Sequence, residues 1–271
     1  MPELPEVETI RNSLAPLIGK RVEKLAFSPL APIETTTPAK IQRALTGTII
    51  TAIRRWGKYL LFDTNQNAKL VIHLGMTGRL LLNPDPTKHV HITVVFQDRS
   101  RLSLIDPRRF GTISLSCKPD GSDNRFLQRL GPDYLNPKLT PEIFVQRCRK
   151  HPGVSLKSLL LNQGIAAGLG NIYACEALYR AGLSPKRRVR RTTGEELSRL
   201  LSSVRQVSAL GIRHGGTTLR DYRNGAGEPG RMKELLQVYG RAGELTADRR
   251  GLVTRIVQGQ RSTFYAPSLQ K

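Results

Sequence analysis

The spacing of apolar residues changes from strand-like to helical midway along this chain, and that change limits what it can fold into. Between Lys58 and Ser116 they fall in short runs: "KYLLFDT", "KLVIHL", "GRLLLN", "VHITVVF", "RLSLID" and "GTISLS". These runs are β-branched or alternating and are separated by turn residues, which predicts an antiparallel sandwich or barrel. From about residue 139 the apolar positions recur at helical spacing instead. Thr140-Pro141-Glu142, Ser155 and Asn171 each suit a helix start, and Thr193 with Glu196 forms a capping box for a long helix. One further helix leads the sheet. Pro5 fits a first turn, Val7, Ile10, Leu14 and Leu17 share a face, and Gly19 ends it. Residues 29–38 read as a Pro-rich loop. The fold class is therefore α+β.

Two segments resist that scheme. "GGTTLRDYRNGAGEPG" is too broken for regular structure and too long for an ordinary turn, the mark of a functional or disordered loop. The tail "GLVTRIVQGQRSTFYAP" reads as two strands about a Gln258-Gly259 turn. The expected organisation is a β-rich domain over residues 1–134, a helical domain over 135–234 and a terminal hairpin over 235–271.

Charge speaks to partners rather than to fold. The chain has 271 residues, with 43 Lys+Arg against 21 Asp+Glu and a formal net charge of +22. A surplus of that size implies a polyanion, most often nucleic acid, bound through phosphates with release of counterions. A solvated basic surface is the alternative. No apolar run is long enough to span a membrane, and the first residues lack the pattern of a secretory signal. A cytoplasmic monomer held to DNA is the expectation. Cys117, Cys148 and Cys175 are widely spaced, so neither a disulfide framework nor a zinc ribbon is legible, and no cofactor is expected.

Against this basic background, Glu3, Glu6 and Glu8 crowd the start, "MPELPEVETI". With Met1 removed, Pro2 would present a secondary amine of pKa near ~8, partly unprotonated at neutral pH. Attack on an aldehyde carbon would give a cationic iminium, and Glu3 could move protons beside it. The structural alternative is that Pro2 and Pro5 stiffen the terminus while Glu6 and Glu8 favour the helix dipole. Lys58 heads a strand, Met76 sits in a Gly-flanked turn, and "DPRRFG" offers Arg108, Arg109 and Phe110. An exposed Met, Arg and Phe on strand-end loops could wedge into a base stack. Singly, Lys58 could be solvated, Met76 and Phe110 could be core, and the arginines a surface pair. In "GLGNIYACEAL", Gly168 and Gly170 permit a tight turn before a helix opened by Asn171, either a phosphate-binding start or a structural cap.

Together these stretches, with "GKYLL", "HLGMTG", "LGPDYL", "GGTTLRDY", "LQVYGRAGE" and "QRSTFYA", resemble the formamidopyrimidine-DNA glycosylases of the bacterial Fpg/MutM type, in the wider family with endonuclease VIII. The resemblance implies a β-sandwich with a leading helix, a helix–two-turns–helix domain and a β-hairpin finger. It also implies excision of 8-oxoguanine and formamidopyrimidines from duplex DNA, followed by nicking at the abasic site. Carried over by position, Pro2 resembles the Schiff-base nucleophile, Glu3 the acid/base group, and Lys58 the lysine of β-elimination and phosphate contact. Met76, Arg108 and Phe110 match the triad that fills the hole left by a flipped base. His89, Arg109, Lys150, Lys157 and Asn171 fall where the family grips backbone. Thr217, Thr218, Arg220 and Tyr222 lie in the stretch resembling the loop over the damaged base. Arg261 resembles the finger arginine assigned to phosphate contact and δ-elimination.

The finger departs from the family pattern of four zinc-binding cysteines. Thr246, Arg249, Ala266 and Leu269 occupy those positions, and none supplies a thiolate. A zincless finger is the expectation, held by Leu252, Ile256, Phe264 and Tyr265 with Leu245 and Leu269 at its base. Two alternatives remain: an endonuclease VIII-like enzyme for oxidised pyrimidines, and a non-catalytic relative that binds damage. The Pro2-Glu3-Leu4 start and the wedge set argue against the first, and the presence of Pro2, Glu3 and Lys58 against the second.

Overall fold

The structure, a computed structural model, describes residues 2–118, 120–218 and 222–271. The chain forms two compact units. The first takes Met1–Arg129 and then His214–Arg231; the second takes Leu130–Arg213 and Met232–Lys271. The Gly-rich segment thus returns to the first unit, and the terminal hairpin belongs with the helices rather than standing alone.

In the first unit, eight strands make two antiparallel four-stranded sheets. They are β1 (Val22–Phe27), β2 (Ile50–Trp56), β3 (Tyr59–Thr64), β4 (Lys69–His73), β5 (Arg79–Leu82), β6 (Val90–Phe96), β7 (Arg101–Ile105) and β8 (Thr112–Ser116). One sheet has the order β1-β6-β7-β5 and the other β2-β3-β4-β8. Leu60, Phe62, Leu70 and Ile72, every second residue of their strands, share one core with Leu80, Ile92 and Leu104. Helix α1 (Leu4–Ser13) adds Val7 and Ile10 to that core, and its C-cap Leu14 joins them. Each such burial contributes roughly 1.5–3 kcal/mol.

The leading helix ends earlier than its apolar spacing predicts. Pro16 lacks an N–H and its ring would meet the carbonyl four residues back, so the chain tightens into a 3-10 turn at Ala15–Leu17. A second helix, α2 (Pro38–Leu45), follows the Pro-rich loop where the sequence pattern predicts none. Thr37 caps it, accepting from the Lys40 N–H at 3.3 Å, and Ile41 and Leu45 turn into the core.

The second unit carries α3 (Pro141–Arg149), α4 (Leu156–Leu161), α5 (Asn171–Arg180) and α6 (Gly194–Arg213). Thr140 and Ser155 cap the first two as expected. At α6 the capping box is complete: Glu196 N–H donates to Thr193 Oγ1 at 3.1 Å, and Thr193 N–H to Glu196 Oε2 at 2.8 Å. Strands β9 (Thr254–Gln258) and β10 (Arg261–Tyr265) form the hairpin. Gln258 pairs with Arg261, so the turn is Gly259-Gln260, one residue later than expected. Both residues have positive φ, +53° and +60°, the handedness a two-residue hairpin loop needs.

Candidate functional site

The first unit gathers most of the catalytic candidates. Pro2 and Glu3 are buried at the start of α1. Glu6, read from sequence as a helix-dipole residue, has a larger part. It is 2% exposed; Oε2 accepts the Glu3 N–H at 2.8 Å and Oε1 accepts the Thr217 N–H at 2.6 Å. One buried acid therefore fixes both the N-terminal segment and the start of the Gly-rich loop. Gly216 makes this possible, since a Cβ there would lie 2.9 Å from Glu6 Cγ. Partners 211 residues apart leave no local signal in the sequence.

Lys58 sits with Gly57 in the two-residue loop joining β2 to β3, and is 7% exposed. Arg55 secures this turn against α1: its Nε donates to Glu8 Oε2 at 2.7 Å and its Nη1 to the Gly57 carbonyl at 2.9 Å. Burial, and then the Lys58 charge, lower the His73 pKa to about 4, so the neighbouring imidazole is neutral at physiological pH. Its Nδ1 accepts the Gly75 N–H at 3.1 Å, which places the ring proton on Nε2.

Met76, Arg108 and Phe110 lie on two loops that meet through glycine. A Cβ on Gly75 would come within 2.3 Å of the Phe110 carbonyl carbon, so only a hydrogen lets these loops touch. Met76 is 45% exposed and Phe110 52%, and the Arg108 guanidinium carbon lies 4.6 Å from the centre of the Phe110 ring. Buried Asp106 organises the second loop. Its Oδ1 accepts from Thr77 Oγ1 at 2.6 Å and Arg108 N–H at 3.3 Å, and its Oδ2 from Gly111 N–H at 2.8 Å. Its own N–H donates to the His89 carbonyl at 3.1 Å. His89 and Arg109 are exposed, each with positive φ, at +64° and +54°. Sequence reasoning does not single out Asp106, although "DPRRFG" begins with it.

In the Gly-rich segment, Thr217 bridges Arg231, and Thr218 Oγ1 accepts the Gly230 N–H at 2.8 Å. Tyr222 is 8% exposed within the core, and its hydroxyl donates to the Glu6 carbonyl at 3.3 Å, which anchors the segment. Arg220 lies outside the described residues.

The second unit holds the remaining candidates. Asn171 opens α5, and Gln163 secures the turn before it, accepting the Gly168 N–H and donating to the Leu169 carbonyl, both at 2.9 Å. Asn171 Nδ2 donates to the Ser262 carbonyl at 2.9 Å, and Lys157 Nζ donates to the same oxygen at 3.0 Å. Lys157 Nζ also donates to Thr263 Oγ1. At 1% exposure, this lysine is buried against the finger strand. Lys150, at the C-cap of α3, and Arg261, the first residue of β10, are exposed.

The finger positions do not fit a zinc ion. Thr246 is buried, donating through Oγ1 to Asp248 Oδ1 at 2.6 Å and accepting the Gly251 N–H at 3.2 Å. Ala266 and Leu269 carry no donor atom in their side chains, and among the described residues no group of three or more His, Cys, Asp or Glu could hold a metal. The apolar support also differs from expectation. Leu245 and Leu252 are 51% and 54% exposed, while Val253, Cys175 and Val238 form a small core flanked by Tyr179, Tyr239 and Phe264. Buried Glu176 holds this core to α5, accepting the N–H groups of Gln237, Val238 and Tyr239 at 2.9, 3.0 and 2.9 Å. Burial raises its carboxyl pKa against those donors.

Comparison with known proteins identifies one family and one fold. The model of the formamidopyrimidine-DNA glycosylase N-terminal domain matches residues 1–113, and that of the formamidopyrimidine-DNA glycosylase H2TH domain matches residues 130–223. A relative from Ruegeria pomeroyi, named formamidopyrimidine-DNA glycosylase, is 38% identical over 284 residues, covering 100% of both chains. The crystal structure of MutM (Fpg) from Thermus thermophilus is 39% identical with a TM-score of 0.88, covering 99% of this chain and 98% of that one. A mutant of Lactococcus lactis FPG, solved with a Fapy-dG containing DNA, is 31% identical with a TM-score of 0.89 and covers 100% of both chains.

Proposed function

Because this chain belongs to the formamidopyrimidine-DNA glycosylase family, we propose that it excises oxidised purines, 8-oxoguanine and formamidopyrimidines, from duplex DNA and then cuts the strand. The observation that carries this reading is the Glu6 bridge, which holds the Pro2-Glu3 segment and the Gly-rich loop on one buried carboxylate. A nucleophile gains most when its geometry is fixed before substrate arrives.

With Met1 removed, the Pro2 nitrogen attacks the sugar C1′, forming a C–N bond as the glycosidic bond breaks and the base leaves. Ring opening, with a proton from Glu3, gives the iminium. That cation draws electrons from C2′: a proton leaves C2′ and the bond to the 3′ phosphate breaks. A second elimination follows: a proton leaves C4′ and its electrons expel the 5′ phosphate, with Lys58 and Arg261 supplying charge to the departing groups. Positioned proton transfer of this kind is worth about 10²–10⁴-fold in rate.

Borohydride should trap the protein on a duplex carrying 8-oxoguanine opposite cytosine, with the adduct on Pro2. Pro2→Gly should lower the trapped yield severely. Adduct on an internal lysine, with unchanged yield in Pro2→Gly, would refute the assignment. If Arg108 addresses the orphaned base, cutting opposite cytosine should be at least tenfold faster than opposite adenine, about 1.4 kcal/mol. Faster release of thymine glycol than of 8-oxoguanine would favour a preference for pyrimidines.

A further inference from the structure

The segment between α5 and α6 carries Lys186, Arg187, Arg188, Arg190 and Arg191 with no acidic residue among them. Its backbone is fixed on all sides. Arg187 and Pro185 carbonyls accept the Leu156 and Lys157 N–H groups at 2.8 and 3.3 Å, and the Val189 and Arg190 N–H groups each donate at 3.0 Å, to Val154 and Pro152. Val189 is fully buried, and Arg149 donates to the Val189 and Thr192 carbonyls at 3.0 and 2.7 Å. The nearby carboxylate of Glu196 is already engaged by both terminal nitrogens of Arg187, at 2.9 Å each. Arg188, Arg190 and Arg191 are exposed, and their guanidinium groups have no hydrogen-bond or ion-pair partner among the described residues.

A rigid backbone thus concentrates like charges around a concave surface of about 700 Å³. Such crowding is unfavourable unless a polyanion relieves it. The surface runs on to the finger: Lys186 Nζ lies 5.5 Å from the centre of the Tyr265 ring, and Gln258 Nε2 donates to the Pro185 carbonyl at 3.3 Å. We propose that this arginine loop is an accessory contact for the phosphate backbone of duplex DNA, independent of the lesion and additional to the finger. The proposal rests on the reading that the chain binds duplex DNA. Guanidinium forks suit phosphodiester oxygens, and contacts to phosphate position a protein without reading sequence.

The test is the salt dependence of binding to an undamaged duplex. A variant with Arg188→Ala, Arg190→Ala and Arg191→Ala should lose two to three units of slope, at about 0.9 per phosphate contact, and ten- to a hundredfold in affinity near 100 mM salt. The three arginines replaced by lysine should retain the slope. A control carrying Lys24→Ala, Lys40→Ala and Arg43→Ala removes equal charge from exposed positions in the first unit and should change the slope by less than one unit. Equal losses in both alanine variants, or an unchanged slope in the arginine variant, would overturn the proposal. So would capture of polyglutamate that depends on these arginines while DNA binding does not. Trapping on Pro2 with an unchanged slope would reject this contact and leave the catalytic reading standing; a lowered slope without trapping would do the reverse.

Discussion

Lys157 and Asn171 donate to a single carbonyl oxygen, that of Ser262, one residue past Arg261. The helix–two-turns–helix segment therefore holds the finger strand directly, through two residues that are also expected to contact DNA. Lys157→Met should loosen residues 254–265, raising their amide exchange and lowering stability by roughly 1.5–3 kcal/mol, the worth of hydrogen bonds from a charged donor. Asn171→Ala should do the same by about 1 kcal/mol. Unchanged exchange in the hairpin of Lys157→Met would show that this ammonium does not hold the finger.

Asp106 accepts from Thr77, Arg108 and Gly111 at once. Asp106→Ala leaves buried donors unmatched and should cost about 2–4 kcal/mol in stability. Because Met76, Arg108 and Phe110 ride on these loops, affinity for a lesion duplex should fall at least tenfold, about 1.4 kcal/mol, while affinity for undamaged duplex changes little. Titration with both duplexes would reveal an equal loss on each if the loops serve only general binding.

Thr246, with its bonds to Asp248 and Gly251, stands where a zinc ligand would. Thr246→Val keeps the shape and removes the hydroxyl, so the hairpin should lose about 1–2 kcal/mol. The purified protein should contain no stoichiometric zinc by elemental analysis, and chelator should leave its melting temperature unchanged. One zinc per chain would contradict the fit of these side chains.

His73 titrates below its ordinary value of 6.5, near pH 4, because burial and the Lys58 charge disfavour its cation. The unfolded chain takes up that proton first as pH falls. Stability contributed by the neutral ring is present above pH 6.5 and is lost as pH falls towards 4. The loss should be on the order of 2 kcal/mol, allowing for the ring's partial exposure. His73→Gln can still accept the Gly75 N–H but does not titrate, so its melting temperature should fall less steeply over that window. Identical profiles would mean that other groups govern acid sensitivity.

What the sequence makes legible is local. Thr140, Ser155 and the Thr193/Glu196 pair announce helix starts within four residues, and all three caps are present. The strand runs are readable because alternation is also a short-range signal. Helix α2 escapes because Thr37-Pro38 looks like the end of a Pro-rich loop as readily as a cap and first turn. Long-range choices stay hidden. Nothing in residues 1–8 says that Glu6 meets Thr217, and nothing near residue 157 says that the lysine turns inward. In the finger, hydrophobicity alone favours Leu252, whereas Val253 beside it is the residue that packs on Cys175 and Val238.

The return of His214–Arg231 to the first unit has a consequence for synthesis. As the chain leaves the ribosome, its first 129 residues already contain both sheets, yet Tyr222 is missing from their core and Glu6 lacks the Thr217 donor. About a hundred further residues must be translated before the buried carboxylate is matched, several seconds at ordinary elongation rates. Until then, the nascent chain holds the Glu6 carboxylate without its Thr217 donor.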